Sequence, residues 1–187
     1  MRIIGGIFRG KSIIGPMDGV TRPLKDLTKE SVFNVINHSN KFTLNLKGSN
    51  VLDLFSGVGS FGLECLSRGA ANVLFIENYA KTVDILKKNL KNLVNVENYQ
   101  IIKLDILKIN FLTQIKDKFD LIFMDPPYAE KNINIVIDYI KDNETLSDNG
   151  IIVLHRHRKN NDILPDYLKI VEKKTYGISQ ITFAQLI

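Results

Sequence analysis

The sequence predicts an α/β fold: a mostly parallel seven-stranded sheet covered by helices, ending in an antiparallel hairpin, with a small hairpin-and-helix extension in front. Three observations predict it. From Val51 onward, short runs rich in Val, Ile, Leu and Phe alternate with amphipathic segments, the pattern of strands buried on both faces and joined by helical crossovers. A glycine-rich turn, "GVGSFG", follows the first of these runs. The last two runs, "YLKIVEKKTY" and "ISQITFAQL", are separated only by Gly177 and its neighbours, a link too short for a crossover, so they pair antiparallel.

Taken in chain order, "RIIGGIFRGKSII" holds two apolar runs around a Gly- and Arg-containing turn, which predicts a hairpin over residues 2–14. "PMDGVTRP" breaks regular structure, and the spacing of Leu27, Val32, Phe33 and Ile36 predicts a helix over 26–37. The polar connector "SNKFTLNLKGSN" divides a basic extension, residues 1–48, from a main domain, residues 49–187. Within the main domain, strands are expected at 51–54, 73–77, 99–103, 119–124 and 150–154, and helices at 60–68, 80–93, 106–113 and 132–141.

Composition narrows the function classes. A chain of 187 residues with 44% apolar residues fills one core and is neither disordered nor collagen-like. Runs such as "DLIFM" and "GIIVL" fall far short of the roughly 20 residues of a membrane span, and "MRIIGGIFRG" lacks the apolar core of a secretory signal; a cytoplasmic protein is expected. A lone cysteine, Cys65, excludes an internal disulfide and a cysteine metal cluster, and reads as a buried structural thiol. The net charge of +5 is concentrated at the front, where Arg2, Arg9, Lys11, Arg22, Lys25 and Lys29 outnumber Asp18, Asp26 and Glu30. That distribution suits a segment lying along phosphates.

The chemistry begins at "VLDLFSGVGSFGLE". Asp53 closes a strand, Gly57 and Gly59 allow a tight turn and close ligand approach, and Ser60 opens a helix. The turn is formally G-x-G-x-x-G, yet Asp53 stands ahead of the glycines. A carboxylate repels a pyrophosphate and attracts the amino group of a methionine moiety, which favours S-adenosylmethionine over a dinucleotide. Glu77, ending the next strand some 20 residues on, suits a ribose diol, and Asp105 after the third strand suits the adenine side.

The fourth strand delivers "DPPY", Asp125-Pro126-Pro127-Tyr128, to the carboxyl edge of the sheet. Two prolines fix the backbone and remove two donors. The Asp125 carboxylate and the Pro126 carbonyl can then both accept hydrogens from one exocyclic amine, aiming its lone pair at a methyl donor by orientation and electrostatics. Tyr128 supplies a flat face for a base. "HRHRK", His155 to Lys159, is expected as a solvated or RNA-facing loop, with no ligand cluster to make it a metal site. Phe61 is expected only to pack the first helix of the main domain.

Nearly end to end, the chain resembles the bacterial 16S rRNA (guanine(966)-N(2))-methyltransferases: "MRIIGGIFRGK", "TRPLKDLTKESVFNVI", "LDLFSGVGSFGLECLSRGA" and "DLIFMDPPY" resemble successive motifs of that family. The resemblance implies a Rossmann-like class I S-adenosylmethionine-dependent methyltransferase that acts as a monomer on assembled small-subunit particles. It implies methionine-moiety contact at Asp53 and the glycine turn, ribose contact at Glu77 and adenine-side contact at Asp105. Phe55, Ser56, Asn78 and Ile106 complete the expected cofactor set, and Asp125 to Tyr128 carry catalysis. Arg2, Arg9, Arg22 and the helix near Asp26 match the family's RNA-facing segment, joined by Lys11, Lys25 and Lys29. Departures are Leu24 and Leu27, where the family usually has Thr after the R-P pair and then Arg, Lys29 where Arg is common, and His155 where a glutamate usually ends the fifth strand.

Three rivals remain from the residues. A DNA adenine-N6 methyltransferase shares D-P-P-Y but usually carries a larger region for reading base edges. A protein-glutamine methyltransferase often has Asn at the position of Asp125 and needs no basic front. A non-catalytic assembly scaffold has no use for acceptors aimed at an amine.

Overall fold

The computed structural model describes residues 1–16, 24–108 and 115–187. Its centre is a seven-stranded sheet in the order β3-β2-β1-β4-β5-β7-β6. The strands are β1 (Asn50–Leu54), β2 (Asn72–Glu77), β3 (Tyr99–Lys103), β4 (Phe119–Met124), β5 (Leu146–His157), β6 (Leu168–Tyr176) and β7 (Ser179–Leu186). β1 to β5 pair in parallel, and β7 runs antiparallel to both β5 and β6. The predicted sheet and its terminal hairpin are therefore present.

The helices are α1 (Asp26–His38), α2 (Ser60–Ser67), α3 (Ala80–Lys91) and α4 (Ile133–Asp142). In α3, Val83, Leu86 and Leu90 recur at helical spacing and are buried, while Lys81, Lys87 and Lys91 point outward. No described helix is long and apolar enough to cross a membrane.

Alternation along the strands divides the core in two. Val51, Phe123, Val153 and Phe183 face one side of the sheet and pack with Ile3, Ile13, Val32, Phe33 and Ile36. Leu52, Leu54, Ile122 and Met124 face the other and pack with Val136, Ile137 and Ile140 of α4. The N-terminal extension thus shares the core of the first face. Buried Glu64 on α2 accepts hydrogen bonds from the backbone N–H of Ile4 (2.8 Å) and Gly5 (2.7 Å), and Ser67 Oγ accepts one from Phe8 (2.9 Å). On α3, Asn89 Oδ1 accepts from Ile14 N–H at 2.8 Å.

Three expectations are corrected. The hairpin over 2–14 is a single antiparallel bridge, Arg2 to Ser12, flanked by a few main-chain bonds, because the backbone there pairs with α2 and α3 side chains. β5 extends past residue 154 to His157, because β7 supplies antiparallel partners to its end. Of the helix expected at 106–113, residues 106–108 form a turn and 109–113 lie outside the described residues.

Candidate active site

The sheet order places β1 beside β4 while their crossovers leave in opposite directions, so a crevice opens at the carboxyl ends of these two strands. A cavity of about 430 Å³ lies there. The loop after β1 lines it through Phe55, Ser56, Gly57 and Val58, and the end of β2 through Glu77, Asn78 and Tyr79. Asp105 and Leu107 border it after β3, and Asp125, Pro126, Pro127, Tyr128 and Ala129 after β4. Apart from Gly59 and Ile106, the cofactor and catalytic residues expected from the sequence therefore border one cleft.

The glycine turn is shaped by backbone requirements. Gly57 (φ +55°) and Gly59 (φ +85°) are left-handed, and so is Phe55 (φ +60°), a conformation costing a non-glycine residue about 1–3 kcal/mol. Gly57 lines the cavity and donates its N–H to Glu77 Oε2 at 2.8 Å. Gly59 does not line it: a Cβ there would stand 2.3 Å from Leu86 Cδ1, so this glycine serves the packing of α2 on α3 rather than ligand approach, which corrects the sequence reading. Ile106 is corrected likewise, because its side chain is buried in the core on the α4 face and its neighbour Leu107 borders the cavity.

Four carboxylates converge on this cleft, Asp53, Glu77, Asp105 and Asp125. Asp53 is 1% exposed and accepts the Gly62 N–H at 2.9 Å. Burial pushes its carboxyl well above the usual range; the Gly62 amide opposes that rise, and the charges of Asp125 and Glu77 add to it. Glu77 accepts three backbone N–H groups, from Gly57, Asn78 (3.0 Å) and Tyr79 (2.8 Å), so it ties the glycine turn to the start of α3. Asp105 Oδ1 accepts from Leu107 N–H at 3.2 Å, and Oδ2 pairs with Lys108 at 3.1 Å. Such a site favours a ligand carrying positive charge.

The corner at 125–128 is held from β5. The Asp125 Oδ1 lies 2.7 Å from His155 Nδ1. Arg156 is 3% exposed, grips Asp162 through two bonds (2.7 and 3.0 Å), and donates to the carbonyls of Pro127 (3.0 Å) and Glu130 (2.6 Å). Asn160 Nδ2 donates to the Tyr128 carbonyl at 3.0 Å. Among the described residues nothing donates to the Pro126 carbonyl. "HRHRK" is thus no solvated loop: its first three residues end β5, and His155 and Arg156 are buried supports of the corner. The cue lay in register: Phe123 pairs with Val153, so the residues two further on, Asp125 and His155, adjoin.

Phe61 is also reassigned. It stacks on Phe123 (centroids 3.8 Å apart) and Phe33 (5.0 Å) and forms a wall of the cavity. Leu24, from the N-terminal extension, lines the cavity as well, a role that its position before α1 did not announce. Cys65 is fully buried, and burial raises its thiol well above the ordinary value.

The basic residues of the extension separate into two kinds. Arg2, Arg9 and Lys25 are exposed, with Arg2 pairing with Asp26 at 3.8 Å. Lys11 donates to the Asn92 carbonyl at 2.7 Å and sits 5.2 Å from the centre of the Phe8 ring. Lys29 contradicts its surface assignment: it is 0% exposed, lies 3.6 Å from Glu64, and donates to the Arg2 carbonyl at 2.7 Å. Burial lowers its ammonium value, and the nearby Glu64 and Asp26 charges work against that. Arg22 lies outside the described residues.

Comparison with known proteins follows the same lines. The family described as "Conserved hypothetical protein 95" matches residues 1–185. A putative rRNA methyltransferase, YlbH of Bacillus subtilis, is 32% identical over 185 residues, covering 97% of this chain and 96% of the relative. Ribosomal RNA small subunit methyltransferase D of Haemophilus influenzae is 31% identical over 179 residues, covering 95% and 90%. A solved structure, the putative methyltransferase yhhF from Escherichia coli, superposes with a TM-score of 0.83 at 26% identity, covering 100% of this chain and 97% of that one.

Proposed function

The chain belongs to the family of ribosomal RNA small subunit methyltransferase D and is an S-adenosylmethionine-dependent methyltransferase; from that premise we propose that it methylates the exocyclic N2 amine of one guanine in 16S ribosomal RNA, within small-subunit particles. One observation carries the proposal: Asp125 and the Pro126 carbonyl stand in the same cleft as the glycine turn and the buried Asp53. The donor set fits the methyl donor. Asp53 is a buried carboxyl that accepts the Gly62 N–H and, among the described residues, has no counter-charge, which suits it to the donor's amino group; the turn from Phe55 to Val58 gives that donor a wall of backbone. Glu77 has most of its acceptor capacity spent on three amides, so any ribose contact there uses what remains.

S-adenosylmethionine supplies an electrophilic methyl group on a sulfonium. The protein's task is to make a poor nucleophile attack it. The lone pair of a guanine N2 is delocalised into the ring, and acceptors that hold both amine hydrogens turn it out of that conjugation. Asp125 Oδ2 and the Pro126 oxygen are those acceptors, Asp125 Oδ1 being engaged by His155. The Arg156 bond to the Pro127 carbonyl keeps the corner from relaxing. Asp125 then takes the proton that the methylated amine releases. Tyr128, which lines the cleft, is the stacking face for the base.

The test is methyl incorporation into small-subunit particles from a strain lacking the gene, followed by mass spectrometry of the digested RNA. One added methyl on a guanine N2 is expected. Incorporation into an adenine, or into protein, would replace this reading.

Cofactor binding should depend on pH through Asp53. A bound cation favours the ionised carboxylate, so binding releases a proton wherever the pH lies below the raised Asp53 value. Affinity should weaken as pH falls through that value, by at most about tenfold per pH unit. In the free protein the sign is opposite for stability: the folded state binds the extra proton, so this group's contribution declines as pH rises from 3.8 through the raised value. Calorimetry in buffers of different ionisation enthalpy checks the released proton, and Asp53→Asn should abolish it.

The exposed cations Arg9 and Lys25 are assigned to the RNA surface and Lys29 is not. Arg9→Ala and Lys25→Ala should each flatten the plot of log affinity against log salt by about 0.7–0.9. Lys29→Met should lower the melting temperature and leave that slope unchanged. Particle binding at four salt concentrations separates the two kinds.

A further inference from the structure

We infer that His155 is a positioning residue that donates its Nδ1–H to Asp125 and fixes the carboxylate so that Oδ2 alone is presented to the target amine. The inference rests on the reading of Asp125 given above. A carboxylate is acceptor-only, so at 2.7 Å the hydrogen in this contact belongs to His155 Nδ1. Position dictates the pairing. β4 and β5 are parallel with Phe123 opposite Val153, and each chain continues two residues along the same face to Asp125 and His155. The imidazole is 4% exposed, and its Nε2 is buried with no hydrogen-bond partner among the described residues. A buried polar atom left orphaned costs stability, so the ring's orientation is set by the Asp125 contact and not by its other nitrogen.

Packing holds the ring there. The Tyr128 ring meets His155 edge-on with centroids 6.0 Å apart and meets His157 at 5.3 Å. β7 covers the strand, with Ile181 opposite His155 and Gln180 opposite Arg156. A carboxylate free to rotate exchanges its two oxygens and loses the fixed angle with the Pro126 carbonyl. One held at Oδ1 keeps it. Arg156 fixes the Pro127 side of the corner while His155 fixes the Asp125 side, so both acceptors inherit their geometry from β5.

Side chains that mimic one imidazole nitrogen at a time test this. An Asn amide nitrogen reaches the place of Nδ1, and a Gln amide nitrogen reaches that of Nε2. His155→Phe and His155→Gln should lower the single-turnover rate on particles by about 10- to 100-fold with cofactor Kd changed less than about threefold, and His155→Asn should recover most of the rate. In an Asp125→Ala background, His155→Phe should have no further effect on rate. Independently of any substrate, nitrogen NMR of the three histidines should show one Nδ1–H shifted by Asp125→Ala and missing in His155→Asn. A wild-type rate in His155→Phe, equal rates for Asn and Gln, or no Nδ1–H responding to Asp125 would overturn the inference. Wild-type protein that shows the coupled Nδ1–H and methylates no particle would instead sink the proposed substrate and leave the pairing standing.

Discussion

Asp125→Ala is expected to cut the single-turnover rate of methyl transfer by about 10²- to 10³-fold, the usual consequence of deleting one preorganised group that acts mainly in the transition state. Cofactor affinity should change by no more than a few-fold. The division follows from placement. Asp125 stands after β4 at the end of the cleft proposed for the substrate, whereas Asp53 lies in β1 and the glycine turn follows that strand. Asp125 is partly accessible, with its side chain 21% exposed, so its loss opens no large void. The substitution also removes one of the two charges that raise the Asp53 carboxyl, which works in favour of cofactor binding at lower pH. Rapid-quench single-turnover assays and calorimetric titrations read the two quantities separately. A cofactor Kd that rises as far as the rate falls would mean that Asp125 belongs to the donor site, and the amine-gripping role would be lost with it.

The parts of this site written in local chemistry were legible in the sequence. A run that ends on Asp53 and a glycine turn, and one that ends on Asp125 and two prolines, announce themselves because strand ends and breaker residues are short-range signals. The sheet was legible for the same reason, since period and link length do not depend on distant contacts. What escaped was tertiary. Nothing in "HRHRK" shows that β7 pairs with it and draws His155 and Arg156 into the interior. Lys29 read as a surface cation because a lysine is almost always exposed, and the ion pair that helps to make its burial tolerable is with Glu64, 35 positions later. Gly59 looked like part of a ligand cradle, yet the neighbour that excludes a side chain there is Leu86 on the next helix. In each case the deciding partner lies on another element.

The largest stability effect should come from Glu64, a residue that never touches the cleft. Its carboxylate is 0% exposed and accepts from Ile4, Gly5 and Arg68 (2.8 Å) while facing the buried Lys29. Glu64→Gln keeps the size, removes the charge and sets an NH2 among donors. The Lys29 ammonium is then buried with the Asp26 charge but without that of its ion-pair partner, and breaking a buried pair on one side costs about 3–5 kcal/mol. Burial already lowers the Lys29 value against the pull of Glu64, so Glu64→Gln should lower it further and make stability rise more steeply as pH climbs toward 10.5. Lys29→Met in the same chain removes the stranded charge and should restore a good part of the loss. Urea midpoints at constant slope give the energies. Hydrogen exchange at Ile4 and Gly5 shows whether the N-terminal extension loosens from α2, as loss of its acceptor requires. A Glu64→Gln protein within about 1 kcal/mol of wild type, with those amides still protected, would show that the apolar contacts of Ile3 and Ile13 hold the extension without the buried ion pair.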